Sequence, residues 1–358
     1  MRGTLEGAEM SEAGPVKLGI IGCGIAANEL HWPAIEALRE EFEITGVCNH
    51  TQEKASRFAE RVGRAYGRDI PYVLDYRDLL SSDEVDAVSV ILPVELNREV
   101  CEAAAVAGKH ILVEKPIAEN EPSAAALLEL EKMHPHLVMM VAEQFRYRRV
   151  FDDLGERVRS GAIGTPYFAD WKVWQHVDPV ANPFARTAWR IEHRYEGGFV
   201  TDAGVHNVAA LRDLLGDLET VGATSASVNP AIGRTDTLAW LFRSEGNLGV
   251  PPLSGSLHLG FSVSGAPVDR LTVLGSNGTA VVEGAGLRIC AASSGMPSEI
   301  YVHENDAGYV AEYRDFHAGI ANRTHPRSTF GEAYADLITI LGALRAAAGG
   351  AVTSAKSP

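Results

Sequence analysis

Two short segments carry side chains that could manage the charge and the proton of a reacting oxygen. Lys115 follows the apolar run 110–114 and precedes a proline, and Asp202 and His206 lie four residues apart at the start of a predicted helix. That spacing lets both side chains face one side of the helix. A lysine ammonium stabilises negative charge on oxygen, and histidine, which titrates near neutral pH, suits general acid–base catalysis. The sequence therefore predicts acid–base chemistry at an oxygen atom of a substrate.

Each of these residues also has a structural interpretation. Lys115 could be a surface lysine at a strand end, Asp202 could be the N-cap of the helix, and His206 could be a buried histidine with its hydrogen bonds satisfied. In the catalytic interpretation, Asp202 either orients His206 or lies beside the reacting oxygen.

A glycine-rich turn near the N-terminus predicts a dinucleotide site. The segment GCGIAA at 22–27 follows a short apolar run and opens a predicted helix. Gly22 permits the tight turn, Gly24 lets the backbone approach a pyrophosphate, and the helix N-terminus faces the anion. We count Ile25 and Ala26 with them as cofactor-binding residues.

The second predicted strand ends without the acid that usually binds a free ribose 2′-hydroxyl. Asn49 stands at that place and is followed by His50 and Thr51. Because no carboxylate there repels a 2′-phosphate and these side chains can donate hydrogen bonds, the sequence favours NADP. Asn49 could also accept a hydrogen bond from a 2′-hydroxyl, and no arginine is present for a phosphate, so NAD stays the alternative.

The first half of the chain alternates predicted strands and helices. The apolar runs are 16–21, 43–48, 87–92, 110–114 and 138–143. The helical patterns between them are chiefly 53–62, 96–107 and 121–132. This alternation predicts right-handed βαβ units, so residues 15–142 should form a doubly wound parallel α/β domain. Lys115 would then lie in the crevice at the carboxyl ends of the strands, where such sheets bind ligands.

The second half has a different pattern. Its predicted helices are 150–160, 202–215, 310–322 and 332–347. Its predicted strands are 221–228, 237–242, 256–264, 271–274 and 279–283. Turns such as GSNG at 275–278 are typical of antiparallel hairpins. Residues 143–348 are predicted to form an α+β domain for substrate binding and oligomerisation, with flexible tails at 1–14 and 349–358.

Composition excludes several classes of partner. Among 358 residues, 32 are Lys or Arg and 47 are Asp or Glu, a formal charge of -15 that repels nucleic acid and anionic lipid. The four cysteines are far apart, without a CxxC pair, so we expect no bound metal. No apolar run reaches the roughly 18 residues of a membrane span, and the acidic N-terminus does not resemble a signal peptide. We therefore expect a cytoplasmic protein.

Three motifs together resemble a known family. They are the glycine turn at 22–27, EKP at 114–116 and GGFVTDAGVH at 197–206. The chain resembles the glucose-fructose oxidoreductase/inositol dehydrogenase/MocA family from Lys17 to about Ala347. The resemblance implies a Rossmann domain, a second domain on an open, mainly antiparallel sheet, and hydride exchange between a nicotinamide and a sugar, polyol or related carbonyl compound. It also implies homodimers or homotetramers formed across the second sheet and a cis peptide bond before Pro116.

The resemblance assigns further residues to the cofactor. Pro93 and Asn97 match positions near the nicotinamide ribose, although Asn97 could simply cap the following helix, and we count Leu92 with them as a cofactor-binding residue. Glu114 and Lys115 are likewise expected on the cofactor side.

On the substrate side we expect Arg146, Trp189 and Arg190, with Asp202 and His206. An arginine at a domain junction is also commonly structural, and tryptophan is more often buried in a core than stacked on a sugar. The chain departs from the family at Ala209, where many members carry an acid three residues after the histidine. The departure weakens an inositol dehydrogenase assignment.

The leading hypothesis is an NAD(P)-dependent oxidoreductase in which Lys115 binds the substrate oxygen and His206 with Asp202 manages its proton. A nicotinamide-dependent glycosidase is an alternative, and it would cleave its substrate with no net change in NADPH absorbance. A non-catalytic cofactor-binding sensor is a third. Loss of Lys115 or His206 would favour the sensor, and neither is lost.

Overall fold

The first half of the chain is built on a parallel sheet. The computed structural model describes residues 14–192, 194–247, 249–291, 297–303 and 307–349. The first six strands are β1 (Val16–Ile21), β2 (Phe42–Cys48), β3 (Tyr72–Val73), β4 (Ala87–Val90), β5 (His110–Glu114) and β6 (Met139–Ala142). They pair in the order β3-β2-β1-β4-β5-β6, every pair parallel. The predicted doubly wound sheet is confirmed.

Helices connect these strands. They are α1 (Trp32–Ala37), α2 (Gln52–Tyr66), α3 (Tyr76–Leu80), α4 (Asn97–Val106) and α5 (Glu121–Met133). A π-helical turn, Ala27–His31, leads directly into α1. In α2 the buried side chains recur three or four residues apart, which is why this segment is helical with one face on the core.

The second half is built on an eight-stranded sheet. Its strands are β7 (Pro166–Trp174), β8 (Leu218–Ala226), β9 (Thr237–Ser244), β10 (Ser254–Gly260), β11 (Val268–Gly275), β12 (Gly278–Glu283), β13 (Gly286–Ala291) and β14 (Pro297–Val302). They pair in the order β14-β13-β12-β11-β7-β10-β9-β8. All pairs are antiparallel except β7 with β10, so the sheet is mainly antiparallel as predicted. The predicted hairpin at 275–278 joins β11 to β12, whereas β3, β7, β13 and β14 were not predicted.

In its described part, the second half of the chain has five helices: α6 (Arg149–Arg159), α7 (Ala188–Glu192), α8 (Gly198–Leu215), α9 (Tyr309–Asn322) and α10 (Phe330–Ala347). Helix α8 begins four residues before its predicted start, with Gly197 as its N-cap. The interpretation of Asp202 as an N-cap is therefore wrong, because Asp202 lies in the second turn. Gly204 lets α8 approach β10 closely, since a Cβ there would lie 2.4 Å from Leu259 Cδ1.

Helix α9 packs on the first sheet although it follows the second sheet in sequence. Phe42 of β2 contacts two buried rings of α9, Tyr313 at 5.7 Å and Phe316 at 6.2 Å between ring centroids. The Tyr313 hydroxyl also lies 2.9 Å from the Ser89 hydroxyl on β4. The core of the first half therefore includes residues from the end of the chain.

Apart from Gly14 and Gly349, the predicted tails 1–14 and 349–358 lie outside the described residues. Within the described ranges, no helix combines the length and apolar character needed to cross a bilayer.

Candidate active site

The carboxyl end of β5 and the second turn of α8 are in contact where the two halves of the chain meet. Lys115 Nζ donates to the Asp202 backbone oxygen at 2.7 Å and to Asp202 Oδ1 at 3.0 Å. The peptide bond from Lys115 to Pro116 is cis, as expected. An ammonium group has three N–H donors, so one remains for a ligand.

Asp202 lies between two cations. Arg190 Nε donates to Asp202 Oδ2 at 2.6 Å, opposite the contact with Lys115. The Asp202 side chain is only 4% exposed. Burial alone would raise the pKa of Asp202, but the charges of Lys115 and Arg190 outweigh it and hold the pKa well below its usual range. Asp202 is therefore an anion that fixes both cations.

We expect Asp202→Asn to destabilise the fold by about 3 kcal/mol at neutral pH, because it leaves two half-buried cations without the buried anion between them. Since folding lowers the pKa of Asp202, this stabilisation is complete above about pH 4, the ordinary carboxyl pKa, and is lost as the pH falls below it. Urea unfolding at pH 7 and below pH 4 measures both effects. Asp170→Asn, at a more exposed aspartate paired with Lys172, is the matched control. A cost at Asp202 no larger than at Asp170 would contradict the prediction.

His206 lies one turn further along α8. Its Nδ1 is 2.6 Å from Glu143 Oε1, and its ring stacks on Phe145 with the centroids 4.7 Å apart and the planes inclined by 17°. Glu143 follows β6 directly and is 1% exposed. Among the described residues, Nε2 of His206 has no hydrogen-bond partner. The pair thus leaves one ring nitrogen for exchange of a proton with a ligand.

Glu114 lies beside this group and pairs with a second histidine. Glu114 Oε1 is 2.8 Å from His31 Nε2, and His31 Nδ1 is 2.9 Å from the Tyr313 hydroxyl of α9. Burial favours a raised pKa for Glu114, but His31, Lys115 and His206 lower it overall. Lys115 contacts Asp202 on α8, and His206 lies one turn further along the same helix, which places the two predicted catalytic residues in one site.

The glycine turn fits a dinucleotide. Gly22 has φ of +103°, and a Cβ there would lie 2.1 Å from the Ile91 backbone oxygen, so only glycine is accommodated. A Cβ at Gly24 would meet nothing within 4 Å, so the backbone borders open space there. Ile25 and Ala26, both half-buried, follow at the start of the helical segment, whose first N–H groups have no partner within the helix. An open backbone cradle with free N–H donors suits a pyrophosphate.

The residues at the end of β2 divide into two roles. Asn49 is buried, its Oδ1 accepts the Cys23 backbone N–H at 3.1 Å, and its Nδ2 donates to the Thr51 oxygen at 3.3 Å. Asn49 thus holds the glycine turn against β2. His50 is exposed and Thr51 is half-buried, so both are accessible at the edge of the turn.

The predicted cofactor residues after β4 support the glycine turn and the turn that carries Lys115. Leu92 lies beside Gly22, where its Cδ2 would be 3.1 Å from an added Cβ, and Pro93 is half-buried next to it. The buried Asn97 donates to the backbone oxygens of Glu114 at 3.0 Å and Pro116 at 3.1 Å. Asn97 therefore braces the turn that carries Lys115.

Of two residues predicted on the substrate side, Trp189 lies beside the Asp202 cluster and Arg146 does not. Trp189 is half-buried, with the Arg190 guanidinium 4.1 Å from its ring centroid, so it adjoins the Asp202 cluster. Arg146 is 2% exposed and its NH2 nitrogen donates to Asp336 on α10 at 2.7 Å and 2.8 Å. The structure therefore places Arg146 in a buried ion pair and does not bring it to the Lys115 site.

His31 and Glu143 are site residues that the sequence reasoning missed. Their partners lie 83 and 63 residues away, so no local pattern indicates the pairs. The one available signal was the position of Glu143 at the carboxyl end of a predicted strand, where ligand-binding groups of α/β sheets collect. In the described part of the chain, no group of three or more His, Cys, Asp or Glu could hold a metal ion.

Two family models match this chain. One, described as "Oxidoreductase family, NAD-binding Rossmann fold", matches residues 16–142, and the other, the GFO/IDH/MocA C-terminal domain, matches residues 151–281. The chain belongs to the glucose-fructose oxidoreductase/inositol dehydrogenase/MocA family, as its motifs predicted.

Individual proteins agree with this assignment. A crystal structure of an oxidoreductase from Thermotoga maritima is 33% identical and has a TM-score of 0.84, with 93% of this chain and 97% of that chain covered. The dTDP-3,4-didehydro-2,6-dideoxy-α-D-glucose 3-reductase of Streptomyces violaceoruber is 30% identical over 276 residues, 75% of this chain and 73% of the reductase.

Levoglucosan dehydrogenase, solved in complex with NADH and levoglucosan, has a TM-score of 0.80 at 20% identity, with 95% of this chain and 99% of that chain covered. At this identity the likeness shows the fold alone. The protein is an enzyme of an NAD(P)-dependent oxidoreductase family whose members include sugar reductases and dehydrogenases.

Proposed function

We propose that this enzyme transfers a hydride between C4 of a nicotinamide, with NADP preferred, and a carbinol or carbonyl carbon of a sugar or polyol. The observation that carries the proposal is the contact of Lys115, directly after β5, with Asp202 on α8, one turn before His206. Lys115 has a donor left for the substrate oxygen, and His206 Nε2 is available for its proton.

The side chains have separate roles in this proposal. Lys115 stabilises the negative charge that develops on the substrate oxygen when the carbonyl is reduced. His206 supplies the proton in reduction and removes it in oxidation. Asp202, held as an anion by Lys115 and Arg190, orients Lys115 and does not exchange the proton. The proton role shared between Asp202 and His206 in the sequence-based hypothesis is thereby assigned to His206.

The cofactor would lie along the glycine turn. The backbone around Gly24 and the N–H groups of Ile25 and Ala26 would hold the pyrophosphate, while Leu92 and Pro93 border the path toward Lys115. A bound nicotinamide supplies the hydride or accepts it. Preference for NADP is supported by the absence of an acid at the end of β2 and by the accessible His50 and Thr51.

Asn49→Asp tests the cofactor preference. Aspartate can still accept the Cys23 N–H and loses only the longer hydrogen bond to the Thr51 oxygen at 3.3 Å, while the new carboxylate repels a 2′-phosphate. We expect kcat/KM with NADPH to fall about tenfold or more, about 1.4 kcal/mol. The value with NADH should stay within about threefold.

Asn120→Asp is the matched control, because Asn120 caps α5 away from the glycine turn and aspartate caps equally well. An unchanged NADPH to NADH ratio in Asn49→Asp would show that the 2′-phosphate is not bound at the end of β2.

The function itself is tested with a panel of levoglucosan, D-glucose, D-xylose, myo-inositol and small ketones, each assayed with NADP(H) and NAD(H) by nicotinamide absorbance. Turnover of at least one compound, lost in Lys115→Met, supports the proposal. Substrate cleavage without any net change in absorbance would instead favour a glycosidase.

The enzyme is also proposed to form a homodimer or homotetramer across the second sheet. The outward face of that sheet carries exposed Trp174 and Leu241 beside the pair Asp170 and Lys172. Such a mixed apolar and charged surface resembles a protein–protein interface more than a core.

A further inference from the structure

A series of hydrogen bonds runs from the first sheet to the residue directly before Lys115. The Ser89 hydroxyl of β4 lies 2.9 Å from the Tyr313 hydroxyl of α9, which lies 2.9 Å from His31 Nδ1. His31 Nε2 lies 2.8 Å from Glu114 Oε1 at the end of β5. Ser89, Tyr313 and His31 are at most 1% exposed, so bulk water does not compete for these bonds. We call these four residues the buried series.

The number of donors in the buried series fixes its direction. Although burial acts to raise it, the pKa of Glu114 is lowered, by the His31 hydrogen bond and the charge of Lys115 among others, so its carboxyl is ionised. An ionised carboxylate only accepts, so His31 carries its proton on Nε2 and donates to Glu114. His31 Nδ1 then accepts the Tyr313 proton, and the Tyr313 oxygen accepts the Ser89 proton.

The opposite arrangement leaves a buried donor unsatisfied. If His31 were protonated on both nitrogens, the Tyr313 hydroxyl would have to donate to Ser89. The Ser89 proton would then have no acceptor among the described residues. Since a buried donor without an acceptor is costly, the series runs from Ser89 to Glu114.

Glu114 and Lys115 are held on opposite sides of β5. Successive side chains of a strand alternate between its two faces. Leu112, two residues before Glu114, lies in the core cluster that includes α9, whereas Val113, two residues before Lys115, lies in the cluster that includes α8. The buried series accordingly holds Glu114 on the α9 side, while α8 holds the Lys115 ammonium on the other side.

We propose that Tyr313 is a positioning residue for the catalytic lysine and acts through His31 and Glu114. This inference rests on the proposed function, in which Lys115 binds the substrate oxygen. With the Glu114 side chain fixed, the backbone at the end of β5 has little freedom to rotate, so the remaining N–H of Lys115 keeps one direction. Misplacing a catalytic group by about 1 Å can cost about 10²-fold in rate, which is why such support matters.

The hydroxyl of Tyr313 is separable from the packing of its ring. The ring packs edge-on against Phe42, which also stacks on Phe316, and neither contact needs a hydroxyl. A phenylalanine at 313 would fill the same space. The hydroxyl therefore serves the hydrogen bonds of the buried series.

Tyr313→Phe keeps the ring and removes only the donor to His31. For the panel compound with the highest kcat, we expect kcat to fall about tenfold and KM to stay within about twofold, because the Lys115 donor is misdirected while the rest of the site is intact. Steady-state kinetics measures both values.

A double variant shows whether the effect passes through His31. His31→Leu has no hydrogen-bonding group in the side chain, so it interrupts the buried series at its centre. Adding Tyr313→Phe to His31→Leu should lower kcat no further, because both changes break one connection. Losses that multiply in the double variant would overturn the action through His31.

Tyr147→Phe is the matched control. Tyr147 is also buried, and its hydroxyl donates to Asp315 on α9 at 2.7 Å, outside the buried series. Both tyrosine variants should lose similar stability in urea, but kcat should fall only in Tyr313→Phe. A purely structural role predicts the same kcat in both variants, and values within twofold of each other would overturn the positioning role.

Two NMR measurements do not depend on turnover. In protein labelled with 15N-histidine, His31 should carry its proton on Nε2. In protein labelled with 13C-lysine, the Lys115 Cε resonance, assigned by its loss in Lys115→Met, should shift in Tyr313→Phe and stay in place in Tyr147→Phe. A His31 proton on Nδ1, or a Lys115 resonance that does not move, overturns the positioning role whatever the reaction is.

The same measurements separate this inference from the proposed function. A Lys115 resonance that moves as expected, together with no nicotinamide turnover of any panel compound, would support the hold of Tyr313 on Lys115 and overturn the proposed reaction. Turnover that is lost in Lys115→Met but unchanged in Tyr313→Phe would support the reaction and overturn the positioning role.

Discussion

Lys115→Met should lower kcat by about 10²–10³, or about 3–4 kcal/mol of transition-state stabilisation, while NADPH still binds. Methionine keeps the length of the side chain but removes the charge and every donor. The buried Asp202 keeps its pair with Arg190, so the fold should survive the change. Steady-state kinetics and NADPH fluorescence titration measure the two quantities separately.

Lys109→Met is the matched control, because Lys109 lies just before the opposite end of β5 and binds the backbone oxygens of Ser82 and Val85. It should cost some stability and leave kcat unchanged. If Lys115→Met turned over within about threefold of wild type, Lys115 would not be the group that binds the substrate oxygen.

His206→Ala should lower kcat by about 10²–10³, within the range for loss of a general acid–base group. We expect the change mainly in kcat and little change in KM, because His206 Nε2 supplies only one of the hydrogen bonds that hold the substrate. In this background Glu143→Gln should have no further effect on kcat, since Glu143 acts only through His206.

His258→Ala serves as the comparison, because His258 lies on β10 near Asp170, outside the active site. Equal rates for His206→Ala and the wild type, or a further large loss on adding Glu143→Gln, would remove His206 from the proton step.

The first sheet and the Lys115 site could be predicted because their signals are local. Buried parallel strands have continuous apolar sequences. The predicted site residues follow a strand end or lie near a helix start, as Gly22, Lys115, Asp202 and His206 do. The strands of the second sheet are harder to predict from the sequence. Strand β7 has Trp171 and Val173 facing the core but Asp170 and Lys172 facing outward, so the segment reads as polar although it lies at the centre of the sheet.

The partners of the predicted residues could not be obtained in the same way. Arg146 was expected near substrate, and its partner Asp336 lies 190 residues further on, in a helix that the sequence does not link to it. The position of Asn49 at the end of β2 predicts a contact with the cofactor ribose, but its amide is largely occupied by hydrogen bonds with the backbone of Cys23 and Thr51. Side-chain pairing across the fold decides such roles, and a single sequence does not record it.

The packing of α9 on the first sheet bears on how the chain is made. Synthesis delivers the β1–β6 segment first, but Tyr313 and Phe316, which cover Phe42, follow only some 270 residues after it. Domains usually fold as units during synthesis, N-terminal first. Here the nascent cofactor half must leave the ribosome with one apolar surface uncovered, and it acquires its finished core only when translation is nearly complete.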